Sequence, residues 1–150
     1  LGALEGRKVL DLFAGTGAMG IEALSRGASR GWLVDQGAQA AGVISSNLKI
    51  CCLEERATFI RSGVLQTLSR LEREKPFDLI FLDPPYGKGL VQKVVAALAD
   101  SEFLAPEGII CAESASQDDI PGAIGGLVRI DKRCYGSTAV HFFAYPEQKS

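Results

Sequence analysis

Histidine, paired cysteine and long apolar runs are all scarce in this chain, and each scarcity closes off a class of chemistry. His141 is the only histidine among 150 residues. One imidazole cannot make a two-histidine metal site and leaves little to build a Ser-His-Asp triad from, so His141 reads as a strand residue. The four cysteines, Cys51, Cys52, Cys111 and Cys134, include no C-x-x-C pair. That spacing argues against a zinc cluster and against a redox dithiol. Adjacent residues such as Cys51 and Cys52 rarely meet disulfide geometry. All four are expected to be buried, reduced thiols of a cytoplasmic protein. No segment has the apolar length of a membrane-spanning helix, and the first residues do not resemble a signal peptide. An excess of either charge is missing as well: 16 Lys and Arg against 18 Asp and Glu give a net charge of -2. Such a balance speaks against a strongly basic clamp for nucleic acid, while leaving room for a local basic patch.

What is present suits a single domain. Apolar residues make up 47% of the chain, enough for one hydrophobic core. Short β-type runs alternate with helical stretches: Lys8 to Phe13, then a helix over Ala18 to Arg26; Gly31 to Asp35, then a helix from Ala38 to Ile50. A short strand at Thr58 to Ile60 precedes Val64, Leu68 and Leu71, which share one face at helical spacing. Phe77 to Asp83 is almost continuously apolar, as a central parallel strand should be. Val91, Val94, Val95 and Leu98 mark the next helix, and Gly108 to Ala112 the fifth strand. The rhythm then breaks. Leu127 to Lys132 and Ala139 to Tyr145 are joined by the turn residues Tyr135 to Thr138, too few for a crossover helix, so they form an antiparallel pair. Gly122 to Gly126 reads as a loop. The expected fold is α/β, a mostly parallel sheet with helices on both faces and an antiparallel C-terminal hairpin.

The first strand runs into a glycine turn, Asp11-Leu12-Phe13-Ala14-Gly15-Thr16-Gly17-Ala18-Met19-Gly20, a literal G-x-G-x-x-G between strand and helix. Its glycines let backbone approach a ligand, and the helix N-terminus offers free N–H groups. Asp35 ends the second strand, 20 residues after Gly15, where a carboxylate can take both hydroxyls of a ribose. To this point a nicotinamide dinucleotide and a sulfonium methyl donor fit equally well. Asp11 tips the balance. A carboxylate facing the ligand from the end of the strand would repel a pyrophosphate but suit the cationic amino group of a methionine moiety.

A second turn, Asp83-Pro84-Pro85-Tyr86, ends the fourth strand. An exocyclic amine on a purine is a poor nucleophile because its lone pair is delocalised into the ring. Two acceptors aimed at its N–H bonds, the Asp83 carboxylate and the Pro84 carbonyl, localise that pair. Pro84 and Pro85 fix φ and hold both acceptors in place, so little reorganisation is needed. Tyr86 offers a face on which an extruded base can stack, worth about 1–3 kcal/mol. Alone, such a turn can be merely a strand terminator. Two ligand-type turns at the carboxyl ends of strands in one sheet obey the rule that α/β sheets bind ligands there.

These residues resemble the class I amino-methyltransferases that use S-adenosyl-L-methionine, and within them the bacterial 16S rRNA guanine-N2 methyltransferase family. The resemblance is carried by DLFAGTGAMGIEALSRGA, FDLIFLDPPYGKGL and GIICAES, and runs over nearly the whole chain. It implies a Rossmann-like, seven-stranded sheet with a reversed last strand. It also implies that Phe13, Ala14, Gly15, Thr16 and Gly17 pack around the donor beside Asp11. Asp35 would hold the donor's ribose, with Gln36, Gly63 and Val64 completing the donor site. Asp83, Pro84, Pro85 and Tyr86 would hold the target base, with Lys88 between Gly87 and Gly89 as a phosphate contact. Arg129, Lys132 and Arg133 are further candidates for phosphate.

The chain departs from the family pattern in two ways. Gly63 stands where such enzymes often carry an acid or asparagine against the donor adenine. A family segment of some tens of residues is also absent before the first strand, the form a fragment would take. The implied partner is 16S rRNA or a small-subunit particle, with no metal, no membrane and a monomeric state. A DNA adenine-N6 methyltransferase would use the same four residues but needs a target-recognition domain for which there is no room. A nicotinamide-dependent oxidoreductase leaves Asp11 and the proline turn unexplained.

Overall fold

The computed structural model describes residues 4–147. Its strands are β1 (Lys8–Leu12), β2 (Arg30–Asp35), β3 (Ala57–Arg61), β4 (Phe77–Leu82), β5 (Leu104–Ala115), β6 (Ala123–Ile124), β7 (Leu127–Tyr135) and β8 (Thr138–Ala144). The α-helices are α1 (Ala18–Ser25), α2 (Ala38–Ile50), α3 (Val64–Leu68) and α4 (Leu90–Asp100). One sheet holds all eight strands in the order β3-β2-β1-β4-β5-β8-β7-β6. The first five are parallel to their neighbours, and β8, β7 and β6 continue the sheet antiparallel.

The strands sort their side chains with a period of two, because successive residues point to opposite faces. Leu10, Leu12, Val34, Ile80 and Leu82 join the core built with Val64 and Leu68 of α3 and Val91, Val94, Val95 and Leu98 of α4. Val9, Leu33, Leu79 and Phe81 point the other way, into the core with Ala23 and Leu24 of α1 and Ile44 and Leu48 of α2. Helices therefore cover both faces, as the apolar patterning predicts. At the amino ends of the strands, Trp32 meets Phe77 edge-to-face at 5.3 Å. The opposite, carboxyl ends are left to the loops.

Three expectations are corrected. The sheet has eight strands, because the Gly122 to Gly126 stretch contains β6. Ile124 is buried in the α4-side core, and Gly125 and Gly126 both adopt positive φ, 57° and 89°. That geometry makes a two-residue hairpin turn that pairs Ile124 with Leu127. Secondly, the cysteines are free thiols but not buried ones: Cys51, Cys52 and Cys134 are exposed and Cys111 is half-buried. Cys51 and Cys52 fall in the turn that ends α2, and Cys134 lies near the tip of β7, where nothing packs over it. Thirdly, Arg129 is no free phosphate contact. Its guanidinium donates to the Ile120 carbonyl at 3.1 Å and lies 3.4 Å from His141 Nδ1.

His141 is fully buried, and hydrogen-bond accounting fixes its state. Ser114 Oγ gives its one proton to the Ala115 carbonyl at 3.0 Å, so it accepts from His141 Nε2 at 2.9 Å. The Nδ1 lone pair is left to face Arg129. Burial, then the charges of Arg129 and Lys132, hold the imidazole pKa below its usual value, which agrees with a neutral ring. The histidine latches β5, β7 and β8 together, the structural role its place in an apolar strand predicts.

Candidate active site

Three loops at the carboxyl edge begin by extending the ladder they leave. Ala14 N–H donates to the Val34 carbonyl at 2.9 Å, Ser62 N–H to the Asp35 carbonyl at 3.1 Å, and Asp83 N–H to the Leu12 carbonyl at 3.4 Å. The sheet thus sets where the turns after β1, β3 and β4 start. The strand order reverses at β1, with β2 and β3 laid down on one side and β4 and β5 on the other, and the crevice of an open α/β sheet forms at such a point. A cleft of about 780 Å³ opens there. One end is lined by Asp35, Gln36, Ser62, Gly63 and Gln66, and the other by Asp83, Pro84, Pro85, Tyr86 and Lys88. Phe13, Val64, Leu65, Leu90 and Val94 supply apolar wall between them.

Most of the residues singled out from sequence meet in this one cleft: Phe13, Asp35, Gln36, Gly63, Val64, the whole Asp83 to Tyr86 turn and Lys88. Ala14, Gly15, Thr16 and Gly17 form the turn beside it without lining it. Phe13 is a non-glycine residue at φ 60°, a left-handed conformation costing about 1–2 kcal/mol. That strain starts the turn and leaves the ring on the cleft wall. Gly17 caps α1 at φ 81°, and a Cβ there would sit 3.0 Å from Leu33 Cδ2. Only glycine meets both demands.

Asp35 braces two turns at once. Its Oδ2 accepts from Gly15 N–H at 2.9 Å and its Oδ1 from Gly37 N–H at 2.8 Å. Asp11 differs from the expectation. Rather than facing the cleft it is buried, at 4% exposure, with Oδ2 accepting from Gly20 N–H at 2.9 Å. Period two explains this: Asp11 shares the face of Val9 and Leu33, over which α1 packs. A Cβ on Gly20 would lie 3.1 Å from that oxygen, so the third glycine of the motif makes room for the carboxyl. Burial, against the opposing Gly20 hydrogen bond and aided by the charges of Asp83 and Asp35, pushes the Asp11 pKa up to about 7.

At the proline turn, Pro84 is buried while Asp83, Pro85 and Tyr86 are exposed to the cleft. Tyr86 is 46% exposed, and its hydroxyl lies 3.1 Å from Thr138 Oγ1 at the tip of the β7–β8 hairpin. Lys88 is the sole cation lining the cleft among the described residues, against Asp35 and Asp83. That sign of charge suits a cationic ligand and disfavours a pyrophosphate.

Two features escaped the sequence reading. Gln66 lines the cleft from α3, its Oε1 2.8 Å from where a Cβ on Gly63 would lie, with Gln36 Oε1 at 3.6 Å from the same point. Two carboxamides thus converge over the position that lacks an acid; the i+3 spacing of Gln66 from Gly63 was the available signal. The second is Glu113 of β5, which follows Ala112, the register partner of Leu82, and so neighbours Asp83. Burial raises the pKa of both carboxyls; the charge of Asp83 and its contact raise that of Glu113 further, while the same contact lowers that of Asp83. Of the other basic candidates, Arg133 pairs with Asp131 at 3.2 Å, while Lys132 is exposed on β7. Among the described residues no cluster of three or more metal-ligating side chains occurs, and no helix is long and apolar enough to cross a membrane.

The sheet order, the reversed C-terminal strands and the cleft at the switch point define a Rossmann-like methyltransferase domain. A solved structure with the same architecture, titled "Putative methyltransferase yhhF from Escherichia coli", superposes with a TM-score of 0.85 at 27% identity, covering 97% of this chain and 80% of that one. The chain belongs to the family described as conserved hypothetical protein 95, whose model matches residues 2–144. "Putative rRNA methyltransferase YlbH" of Bacillus subtilis is 36% identical over 140 residues, 93% of this chain and 76% of that protein. "Ribosomal RNA small subunit methyltransferase D" of Escherichia coli is 32% identical over 112 residues, 75% of this chain. The match spans 55% of the Escherichia coli protein's length.

Proposed function

We propose that this domain methylates the exocyclic N2 amine of a guanine in 16S rRNA, with S-adenosyl-L-methionine as donor. The observation that carries the reading is that the Asp83-Pro84-Pro85-Tyr86 turn and Asp35 line one cleft. Its volume lies within the usual range for small-molecule sites. The donor set suits the proposed donor: a carboxylate for the ribose, carboxylates and apolar wall for a sulfonium, carboxamides for a purine edge. Asp35 would hold the ribose, Phe13 and Val64 the apolar body, and Ser62, Gln36 and Gln66 the adenine edge in place of the missing acid. Asp11 would favour the donor's cationic end by charge from beneath the glycine turn, not by direct contact.

When bound, S-adenosyl-L-methionine supplies an electrophilic methyl, whose C–S bonding pair leaves with sulfur as the amine lone pair forms the new N–C bond. The chain's own contribution is placement. Asp83 and the Pro84 carbonyl accept the amine's N–H bonds and localise its lone pair; the proton the nitrogen loses passes to the Asp83 carboxylate and from there to water. Pro84 and Pro85 hold those acceptors rigid, so their dipoles need no reorganisation. Tyr86 receives the extruded base by stacking, and Lys88 meets a neighbouring phosphate. An rRNA substrate implies a cytoplasmic protein acting on naked RNA or an assembling particle.

The test is mass mapping of modified nucleosides in rRNA and in genomic DNA from cells with and without the full-length gene. Loss of one N2-methylguanosine, restored by the gene, is expected. Loss of an N6-methyladenosine in DNA instead would overturn the base and polymer assigned here, and no change in any methylated nucleoside would overturn the function.

A further inference from the structure

In the parallel pair of β4 and β5, Phe81 aligns with Cys111 and Leu82 with Ala112. Asp83 follows Leu82 just past the end of β4, and Glu113 follows Ala112 in β5, so the register brings the two carboxyls next to each other, and each shifts the other's pKa. Two carboxylates are both acceptors, so a bond between them requires one proton. Asp83 lines the large cleft. Glu113 lines a smaller one of about 190 Å³, and Pro84, Pro85 and Tyr86 form a wall common to the two. The carboxyl pair therefore sits at the root of the turn that carries the proposed chemistry.

We propose that Glu113 is a positioning residue: its protonated carboxyl donates to one oxygen of Asp83, turning the other oxygen toward the target amine. This inference rests on the reading of Asp83 given above. A lone carboxylate at the mouth of a cleft rotates about its terminal torsion, and either oxygen can be lost to water. A donor on one oxygen fixes the plane of the group and keeps Asp83 ionised, hence an acceptor. Burial raises the pKa of both carboxyls, but every influence on Glu113 raises it, whereas contact with Glu113 lowers that of Asp83, so the shared proton belongs on Glu113. Among the described residues, the ionisable groups bordering the pair are Asp11 from β1, Cys111 from β5, Asp118 and Asp119 beside the smaller cleft, Tyr86 on the common wall, and a single cation, Lys88. Cys111 stays a thiol, its pKa pushed up to about 11 by burial and by Glu113.

The experiment compares Glu113→Gln and Glu113→Ala with the unaltered full chain in methyl transfer to small-subunit rRNA, with donor affinity by calorimetry and kcat as a function of pH. A glutamine amide donates as a protonated glutamate does. Glu113→Gln is therefore expected to keep kcat within about two-fold at neutral pH and to lack the alkaline fall in kcat expected of the unaltered chain, in which Glu113 loses its proton. Glu113→Ala is expected to lower kcat on the order of ten-fold with donor affinity unchanged. An alanine variant with unaltered kcat and pH profile, or a glutamine variant as impaired as the alanine one, would overturn the proposal. If the unaltered chain transfers no methyl to any RNA, the reading of the site fails. The pair is then judged by carboxyl-carbon NMR of the free protein. Glu113 should titrate above the usual glutamate range and fall back in Asp83→Ala; ordinary titration of Glu113 contradicts the pairing.

Discussion

The turns after β1 and after β4 border the same cleft but are held in shape by opposite means. The glycine turn is permissive backbone restrained from outside: Asp35 grips Gly15 and Gly37, and Asp11 grips Gly20 from the buried face. The proline turn is restrained from within by two pyrrolidine rings, and it reaches outward to Glu113 and Thr138 through side chains. Glycine lets backbone come close to a bound molecule, whereas proline removes the freedom that would blur two acceptors. One turn is shaped to hold a ligand, the other to aim at one.

That division can be broken at four places. The largest effect is expected from Asp83→Ala, which removes an aimed acceptor: kcat should fall on the order of 10²–10³-fold, with donor affinity within a few-fold by calorimetry. Survival of transfer would show that the proline turn does not aim. Tyr86→Ala should lower kcat/KM for RNA by about 5- to 150-fold, the equivalent of 1–3 kcal/mol of stacking, at unchanged donor affinity. A normal kcat/KM would remove the stacking role.

Asp11→Asn tests the glycine turn through pH. The Asp11 pKa in the folded chain, about 7, lies above the usual aspartate value, so the folded state holds a proton that the unfolded state has released. The group's stability contribution is full below about pH 4 and is lost as pH rises through about 7. Between pH 5 and 8 this group should cost the unaltered chain about 2–3 kcal/mol, and urea unfolding of Asp11→Asn should lack that fall. Equal pH slopes for the two proteins would refute the buried acid. The smallest effect belongs to Thr138→Val, which removes a partner of the Tyr86 hydroxyl. A two- to ten-fold loss in kcat/KM is expected, about 0.5–1.5 kcal/mol, and no loss would leave the hairpin tip without a part in base capture.

Legibility in the sequence followed the range of the interaction. The alternation of strand and helix, the two turns and the terminal hairpin are local patterns, and each lies where its pattern predicts. Asp11 was misjudged for a local reason: its place in a strand of period two already assigned it to the face of Val9, under α1. β6 was also within reach, since Gly125-Gly126 between Ile124 and Leu127 is a hairpin signal. Glu113 was not. Its link to Asp83 depends on β4 and β5 being neighbours in a given register, which the intervening loop and helix do not disclose. The same holds for Arg129, whose partners Ile120 and His141 meet it only once β7 and β8 are paired.

The most direct test of the account is a crystal structure of the chain with S-adenosylhomocysteine. The ligand should span the cleft from Asp35 to Asp83, its adenine beside Gln66 and its sulfur end toward the proline turn, with one Asp83 oxygen on Glu113 and the other open to the target side. A ligand bound elsewhere, or an Asp83 carboxyl turned away from the cleft with the ligand in place, would contradict the division of labour between the two turns.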